Sequence, residues 1–280
     1  MQYETGPAQS VLEEYIRHPA NKPTADGSFL RISNVTTCER KQVFDGMGLA
    51  RIEAGPNAVN GFVAKEIGNT MHEHVQTAFK ERVPNFECEV EVSIPECLTS
   101  GHADGIYYAS HSNPSRRDGT VLEIKTMRNY GFRKARNEGP KEEHLFQACA
   151  YALAKGVTKI HLVYICTDAT PSRWKDSARA GDMVEWLYDI YDPFDESGTP
   201  ISTATTYFLE DHARMAKNYL TTGVIPEGLR SHWAAGIPWE CDYCPYYDVC
   251  EQQGNIDIVD VINLANLEKV PEGTIVWDHP

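Results

Sequence analysis

The period of the apolar residues divides the chain into helical and extended segments. In the first part of the chain the apolar positions recur at helical spacing, which predicts amphipathic helices. The helices expected there are residues 10–18, a segment capped by Ser33 that ends at Gly46 or Gly48, and a segment that Gly68 opens and Pro84 stops. After Pro84 the period changes to two, which predicts strands.

The second part of the chain is expected to form a sheet with helices packed on it. The expected strands are FECEVEVSI, GHADGIYYAS, TVLEIKTM, KIHLVYIC and MVEWLYDIY, and the expected helices are EEHLFQACAYALAKG and TYFLEDHARMAKNYLTTG. TVLEIKTM should be central because it is apolar and rich in β-branched residues. This order predicts an α/β fold with a mixed central sheet flanked by helices. The sequence has no glycine-rich phosphate loop, which argues against an ATPase or a dinucleotide-binding protein.

Composition and charge narrow the class of protein. The 280 residues are 41% hydrophobic and 24% charged, an ordinary globular balance that excludes a disordered or fibrous chain. The formal net charge of −14 argues against a protein that coats itself with nucleic acid by non-specific attraction. No apolar run reaches the roughly 18 residues of a membrane span. The first residues lack the basic start and apolar stretch of a secretory signal, so we expect a cytoplasmic protein.

An acidic pair and a lysine on two expected strands indicate metal-dependent chemistry. Asp104 lies in GHADG, and Glu123 and Lys125 lie two residues apart in LEIKT, which places them on one face of a strand. Neighbouring carboxylates suit a hard divalent cation such as Mg²⁺ or Mn²⁺, and a lysine beside them offsets the charge that builds on a scissile phosphate. The alternative is a solvated ion pair. Apolar neighbours favour burial of both segments, where an unpaired charge is costly and usually functional.

These segments resemble the core of a known superfamily. GHADG followed by LEIKT is similar to the PD-(D/E)XK nucleases in their RecB-like branch. Gly68-Asn-Thr-Met-His72 resembles the first motif of that branch, and Gln147-Ala-Cys-Ala-Tyr151 matches its Q-x-x-x-Y motif. The resemblance implies a restriction-endonuclease-like core and a hydrolase. It also implies His72, Asp104, Glu123 and the carbonyl of Ile124 as metal ligands, Lys125 as the catalytic lysine acting with Asp104 and Glu123, and Gln147 and Tyr151 as DNA contacts.

Independent geometry supports part of this assignment. Gln147 and Tyr151 are four residues apart and therefore share a helix face, as they also would in an ordinary core helix. His72 and His74 are about 200° apart on a helix, so only one of them points inward. The motif spacing from Gly68 favours His72, and His102, two residues before Asp104, is a competitor.

The cysteines indicate a second metal site. Eight cysteines without an export signal are more typical of thiols or metal ligands than of disulfides, and three of them fall within ten residues. Cys38 with Cys241, Cys244 and Cys250 resembles the iron–sulfur arrangement of the CRISPR-associated exonucleases and the AddB-type helicase–nucleases, which implies a 4Fe–4S cluster. Zinc is the alternative metal for this site. The other cysteines are expected to be small hydrophobic residues.

A basic stretch follows the strand that carries Lys125. RNYGFRKAR contains four cations and two aromatic rings without an acidic residue, and it is a candidate track for single-stranded DNA or else a solvated loop. Its cations are Arg128, Arg133, Lys134 and Arg136. The resemblance implies a single nuclease domain over residues 1–255, with an iron–sulfur lobe formed by residues 30–50 and 205–255, and residues 256–280 as an extension of unassigned role.

The sequence therefore predicts a metal-dependent DNA exonuclease with a structural 4Fe–4S cluster. The resemblance favours single-stranded ends and 5′→3′ cleavage in recombination, repair or DNA processing. One alternative is a non-catalytic subunit that binds DNA ends, and another is an acidic DNA mimic or regulatory protein. The residues leave open the polarity, the strand preference, the pathway, the oligomeric state and any protein partner.

Overall fold

The structure is a computed structural model that describes most of the chain. The described residues are 29–34, 36–49, 58–108, 118–169, 177–228, 239–242 and 244–252. The predicted helix at 10–18 and the extension at 256–280 lie outside them. None of the helices within these ranges is long and apolar enough to cross a membrane.

Strands of the described residues form one mixed sheet. They are β1 (Leu30–Arg31), β2 (Glu87–Ile94), β3 (Thr99–Tyr108), β4 (Gly119–Met127), β5 (Lys159–Cys166) and β6 (Met183–Asp189). The order is β1-β3-β4-β5-β6, and β2 pairs with β3. The pairings β2–β3, β3–β4 and β5–β6 are antiparallel, whereas β1–β3 and β4–β5 are parallel. The predicted mixed sheet is thus confirmed, and β4 lies in its middle.

The helices flank this sheet. They are α1 (Glu39–Gly46), α2 (Ala58–Arg82), α3 (Asn129–Glu138), α4 (Glu142–Lys155), α5 (Ile201–Thr222), α6 (Trp239–Asp242) and α7 (Tyr247–Gln252). Two predicted starts are wrong. Ser33 lies in a 3₁₀ turn and Cys38 precedes α1, while Gly68 is inside α2 rather than at its beginning. The basic stretch forms helix α3 rather than a loop because Phe132 and Ala135 are buried against β5 and its neighbours.

The sheet is covered on both faces, which is why β4 is apolar along most of its length. On one face Val121 packs with residues of α4 and α5. On the other face Leu122 and Ile124 pack against Met71 and Val75 of α2. Because side chains alternate along a strand, Glu123 and Lys125 share the face of Val121 and point toward α4.

Candidate functional site

Asp104 lies where the sheet opens. The pairing of β3 with β4 ends at Gly105 and Leu122, so Asp104 and Glu123 come immediately after the last paired residues. The Asp104 carboxylate ties three elements together at this point. Its Oδ2 accepts a hydrogen bond from the backbone N–H of Ile124 at 2.6 Å, and its Oδ1 lies 3.2 Å from Nδ1 of His72 on α2. Where the backbone pairing of β3 with β4 ends, the Asp104 side chain thus provides the acceptor for the N–H of Ile124.

Glu123 is a buried carboxylate with one oxygen unused. The residue is 1% exposed, and its Oε1 lies 2.6 Å from Nζ of Lys125. Its Oε2 has no hydrogen-bond partner among the described residues. Burial raises the pKa of Glu123 to about 7, although the charge of Lys125 opposes this shift. A buried carboxylate oxygen without a donor is costly unless another group, such as a cation, binds it.

Lys125 is held by the Q-x-x-x-Y residues. Its ammonium donates to Oε1 of Gln147 at 3.0 Å, and the amide of Gln147 donates to the hydroxyl of Tyr151 at 3.1 Å. Burial would lower the pKa of Lys125, but the Glu123 carboxylate outweighs burial and the pKa is raised. Tyr151 is 1% exposed, with Gly101 so close that an added Cβ would meet its ring at 3.1 Å. Tyr151 therefore lies behind Lys125, and its contact with DNA stays a prediction.

Helix α2 brings His72 to the site. Gly68 packs against β4, where a Cβ would lie 3.1 Å from Oγ1 of Thr126, so glycine permits the close approach of helix and strand. His72 follows one turn later and contacts Asp104. Burial lowers the pKa of His72, but the hydrogen bond and charge of Asp104 outweigh it and the pKa is raised. His74 and His102, the competing histidines, are exposed.

Gln76 and Glu89 are site residues that sequence reasoning missed. Gln76 is 6% exposed and lies one turn after His72 on α2. Its amide donates to Oε1 of Glu89 at 2.5 Å and to the backbone carbonyl of Asp104 at 2.9 Å. The β2–β3 register passes from Cys88–Gly105 to Val90–Ala103 and skips the pair of Glu89 with Asp104. The four-residue step from His72 was a usable signal for Gln76, but nothing local marks Glu89.

Glu89 has an unusual backbone for a strand residue. Its φ is +51°, whereas ordinary strand residues have a negative φ. This left-handed region is unfavourable for a residue with a side chain by about 1–2 kcal/mol.

 The hydrogen bond from Gln76 accompanies this conformation and holds the Glu89 side chain on the α2 side of the sheet.

The four predicted cysteine ligands line one cavity of about 850 Å³. Cys38 precedes α1, whereas Cys241, Cys244 and Cys250 lie in or beside α6 and α7. Burial, together with the smaller effect of the other three cysteines nearby, raises the pKa of Cys241 to about 11. Lys125 and Gln147 line the same cavity, so it connects the cysteines with the carboxylate site.

Contacts other than the cysteines join α1 to the later segments. The hydroxyl of the buried Tyr246 donates to Oδ1 of Asp45 at 2.7 Å, and its ring packs edge-on against Phe44. Arg40 donates from Nε to the carbonyl of Pro226 at 2.8 Å. These contacts hold the cysteine-bearing segments side by side. Within the described residues, however, no group of three or more His, Cys, Asp or Glu side chains is already arranged to hold a metal ion.

The predicted DNA-contacting cations lie on and next to α3. Arg128 precedes the helix and is exposed, and Lys134 lies 3.8 Å from Glu138 in an exposed ion pair. The guanidinium of Arg136 lies 5.8 Å from the ring centre of Phe132. Phe132 is buried and has no face for a base, whereas Tyr130 is 80% exposed. Arg133 is half-buried on the same helix.

Comparison with known proteins finds distant structural likenesses. No protein-family model matches the chain, and no curated protein matches it. The crystal structure of SSO0001 is 20% identical, covers 86% of this chain and 93% of its own, and has a TM-score of 0.42. A phage related exonuclease from Haemophilus somnus 129PT is 15% identical, covers 77% of this chain and 95% of its own, and has a TM-score of 0.35. Neither likeness is close enough to assign a function to this chain.

Proposed function

We propose that this protein is a metal-dependent deoxyribonuclease of the PD-(D/E)XK type that acts as an exonuclease on single-stranded DNA ends. The observation that carries the proposal is the buried Glu123 carboxylate, which has one oxygen without a partner, contacts Lys125 and lies beside Asp104 at the opening of the sheet. A buried carboxylate with a raised pKa, in contact with a lysine that lines a cavity, is typical of a catalytic site.

The donor set fits a hard divalent cation. Carboxylate oxygens of Asp104 and Glu123, the imidazole of His72 and the carbonyl of Ile124 would hold Mg²⁺ or Mn²⁺. When bound, the ion supplies Lewis-acid catalysis and lowers the pKa of a bound water. Because these side chains now bond to one another, the proposal includes a shift of their positions when the ion binds. Oε2 of Glu123 has no hydrogen-bond partner among the described residues, so it would bind the ion without first giving up such a bond.

Lys125 is the residue that acts on the phosphate. Its contacts with Glu123 and Gln147 keep it protonated and fix its direction, and it lines the cavity in which a strand would lie. A fixed ammonium stabilises the charge that develops on the phosphate during hydrolysis. Gln147 lines the same cavity and is placed to contact the strand, whereas Tyr151 orients Gln147 from behind.

The cysteines are proposed to hold a structural 4Fe–4S cluster, with Zn²⁺ as the alternative. Four thiols that line one cavity provide the number and type of ligands that such a cluster needs. A cluster there would join α1 to the α6–α7 segment, and these segments already contact each other through Tyr246 with Asp45 and Arg40 with Cys250. Visible absorption together with iron, sulfide and zinc analysis of the purified protein separates the two metals.

Exposed groups on α3 are proposed to guide the DNA strand away from the site. Tyr130 offers a ring on which a base stacks, and Arg128 and Lys134 offer charges to phosphates. They follow β4 directly in the chain, three to nine residues after Lys125.

The test is cleavage of single-stranded DNA labelled separately at each end, with Mn²⁺, by wild type and Lys125→Ala. We expect wild type to release nucleotides progressively from one end and the variant to bind DNA without cleaving it. Lys155→Ala, at a half-buried lysine in the last turn of α4, is the matched control, and it should cleave like wild type. A wild type with its metal cluster intact that binds DNA ends and cleaves none of them would instead favour a non-catalytic end-binding subunit.

A further inference from the structure

His144 lines the same cavity as Lys125 and has no role in the site described so far. It lies on α4 three residues before Gln147, so the two side chains share a helix face. The histidine side chain is 15% exposed. It is therefore mostly fixed by the protein and still reaches the cavity.

The hydroxyl of Tyr164 determines which ring nitrogen of His144 carries the proton. The backbone N–H of Lys141 donates to the Tyr164 hydroxyl oxygen at 3.0 Å, and Nδ1 of His144 lies 2.6 Å from the same oxygen. Tyr164 is fully buried, so its single hydroxyl proton needs an acceptor. Among the described residues Nδ1 of His144 is the acceptor that this hydroxyl has. Nδ1 is therefore unprotonated, and the proton of a neutral imidazole lies on Nε2.

The charges around the ring keep it neutral. Burial, together with the smaller effect of the positive charges of Lys125 and Lys141, lowers the pKa of His144 to about 2. The carboxylate of Glu143 is 3.5 Å from Nε2, beyond an ordinary hydrogen bond. The Nε2–H group is thus a neutral donor that has no strong acceptor among the residues the structure describes, and it lines the same cavity as the Lys125 ammonium.

We propose that Nε2–H of His144 donates a hydrogen bond to a phosphate oxygen of the DNA strand in this cavity, which makes His144 a substrate-binding residue. The inference rests on the proposed function and adds a specific contact to it. A phosphate is the expected acceptor because the ammonium of Lys125, which lines the same cavity, attracts an anion. The hydrogen bond with Tyr164 already fixes the imidazole, so little conformational entropy is lost when Nε2–H donates. Tyr164 is then a positioning residue that acts through His144.

The test compares kcat and KM for a 5′-labelled oligo-dT with Mn²⁺. His144→Leu should raise KM roughly ten- to hundredfold, the effect of losing a hydrogen bond to a charged group, with a smaller change in kcat. His144→Gln supplies an amide donor and should recover a large part of the loss. Tyr164→Phe should raise KM by less and leave both ring tautomers populated, which ¹⁵N NMR of the histidine ring detects. His74→Gln, on an exposed histidine of α2, is the matched control.

The outcomes separate the inference from the proposed function. If wild type cleaves and His144→Leu has an unchanged KM, or the wild-type ring carries its proton on Nδ1, the inference is overturned and the nuclease stands. If wild type cleaves nothing, binding of the same oligo-dT in the presence of Ca²⁺ is measured instead. Weaker binding by His144→Leu than by His144→Gln supports the contact. Equal binding by the two variants, or a wild type that does not bind the oligo-dT, overturns it.

Discussion

Substituting Gln76 by leucine tests whether α2 positions Asp104 through its backbone. The substitution keeps a similar volume but removes the amide that bonds Glu89 and the Asp104 carbonyl. The bond to Glu89 has a charged acceptor, but Glu89 is exposed and water replaces much of the lost contact. The Asp104 carbonyl loses its Gln76 donor, and an unpaired backbone carbonyl costs about 1–3 kcal/mol. We therefore expect Gln76→Leu to lower the free energy of unfolding by about 2 kcal/mol.

Urea denaturation measures this loss, and the same variant in the cleavage assay measures the effect on the site. A looser Asp104 should lower kcat while Lys125 and the cavity stay in place. Thr77→Leu, the next and exposed residue of α2, is the control for adding a leucine to this helix. A double-mutant cycle with Glu89→Ala isolates the bond between the two side chains, with an expected coupling of about 0.5–1.5 kcal/mol. Unchanged stability and unchanged kcat in Gln76→Leu would refute the positioning role.

Two further variants test the cysteine cavity and α3. Cys241→Ser should remove the visible absorption of a 4Fe–4S cluster and lower the midpoint of thermal unfolding. Cys88→Ser, at an exposed cysteine, is the control and should do neither. A normal spectrum and midpoint in Cys241→Ser would exclude Cys241 as a ligand. Tyr130→Ala should weaken binding of single-stranded DNA by about 1–3 kcal/mol through the loss of one base stack, measured by fluorescence anisotropy. Exposed Tyr207→Ala on α5 is its control, and equal binding by both variants would show that no base stacks on Tyr130.

The sheet was predictable because its strands have a clear pattern. β4 has apolar residues on both faces, a pattern that predicts a central strand. Gly156 and Gly223, both in the left-handed conformation, mark the ends of α4 and α5. The beginning of α2 was not predictable in the same way. Val63 and Ile67 in its first half are substantially exposed, so that half lacks an apolar stripe, and Gly68 looks like a boundary although close packing on Thr126 explains it.

The candidate site was predictable where its residues are close in sequence. Glu123 and Lys125 are two residues apart on a strand, and Gln147 and Tyr151 are four apart on a helix, so periodicity alone places each pair on one face. Glu89 meets Gln76 only through tertiary packing, and its left-handed backbone has no signal in a strand-forming sequence such as ECEVEVSI. The burial of Tyr151 likewise depends on the approach of Gly101 from β3.

The contacts of α1 with the far end of the chain have a consequence for synthesis. Arg40 bonds Pro226 across 186 residues, and Asp45 bonds Tyr246 across 201 residues. At ribosomal speeds of about 5–20 residues per second, roughly 10–40 seconds separate the emergence of α1 from that of its partners. During that interval the ring of Phe44 on α1 lacks its later partner, the ring of Tyr246. The contacts that α1 makes with Pro226 and Tyr246 can therefore form only after most of the described part of the chain has been synthesised.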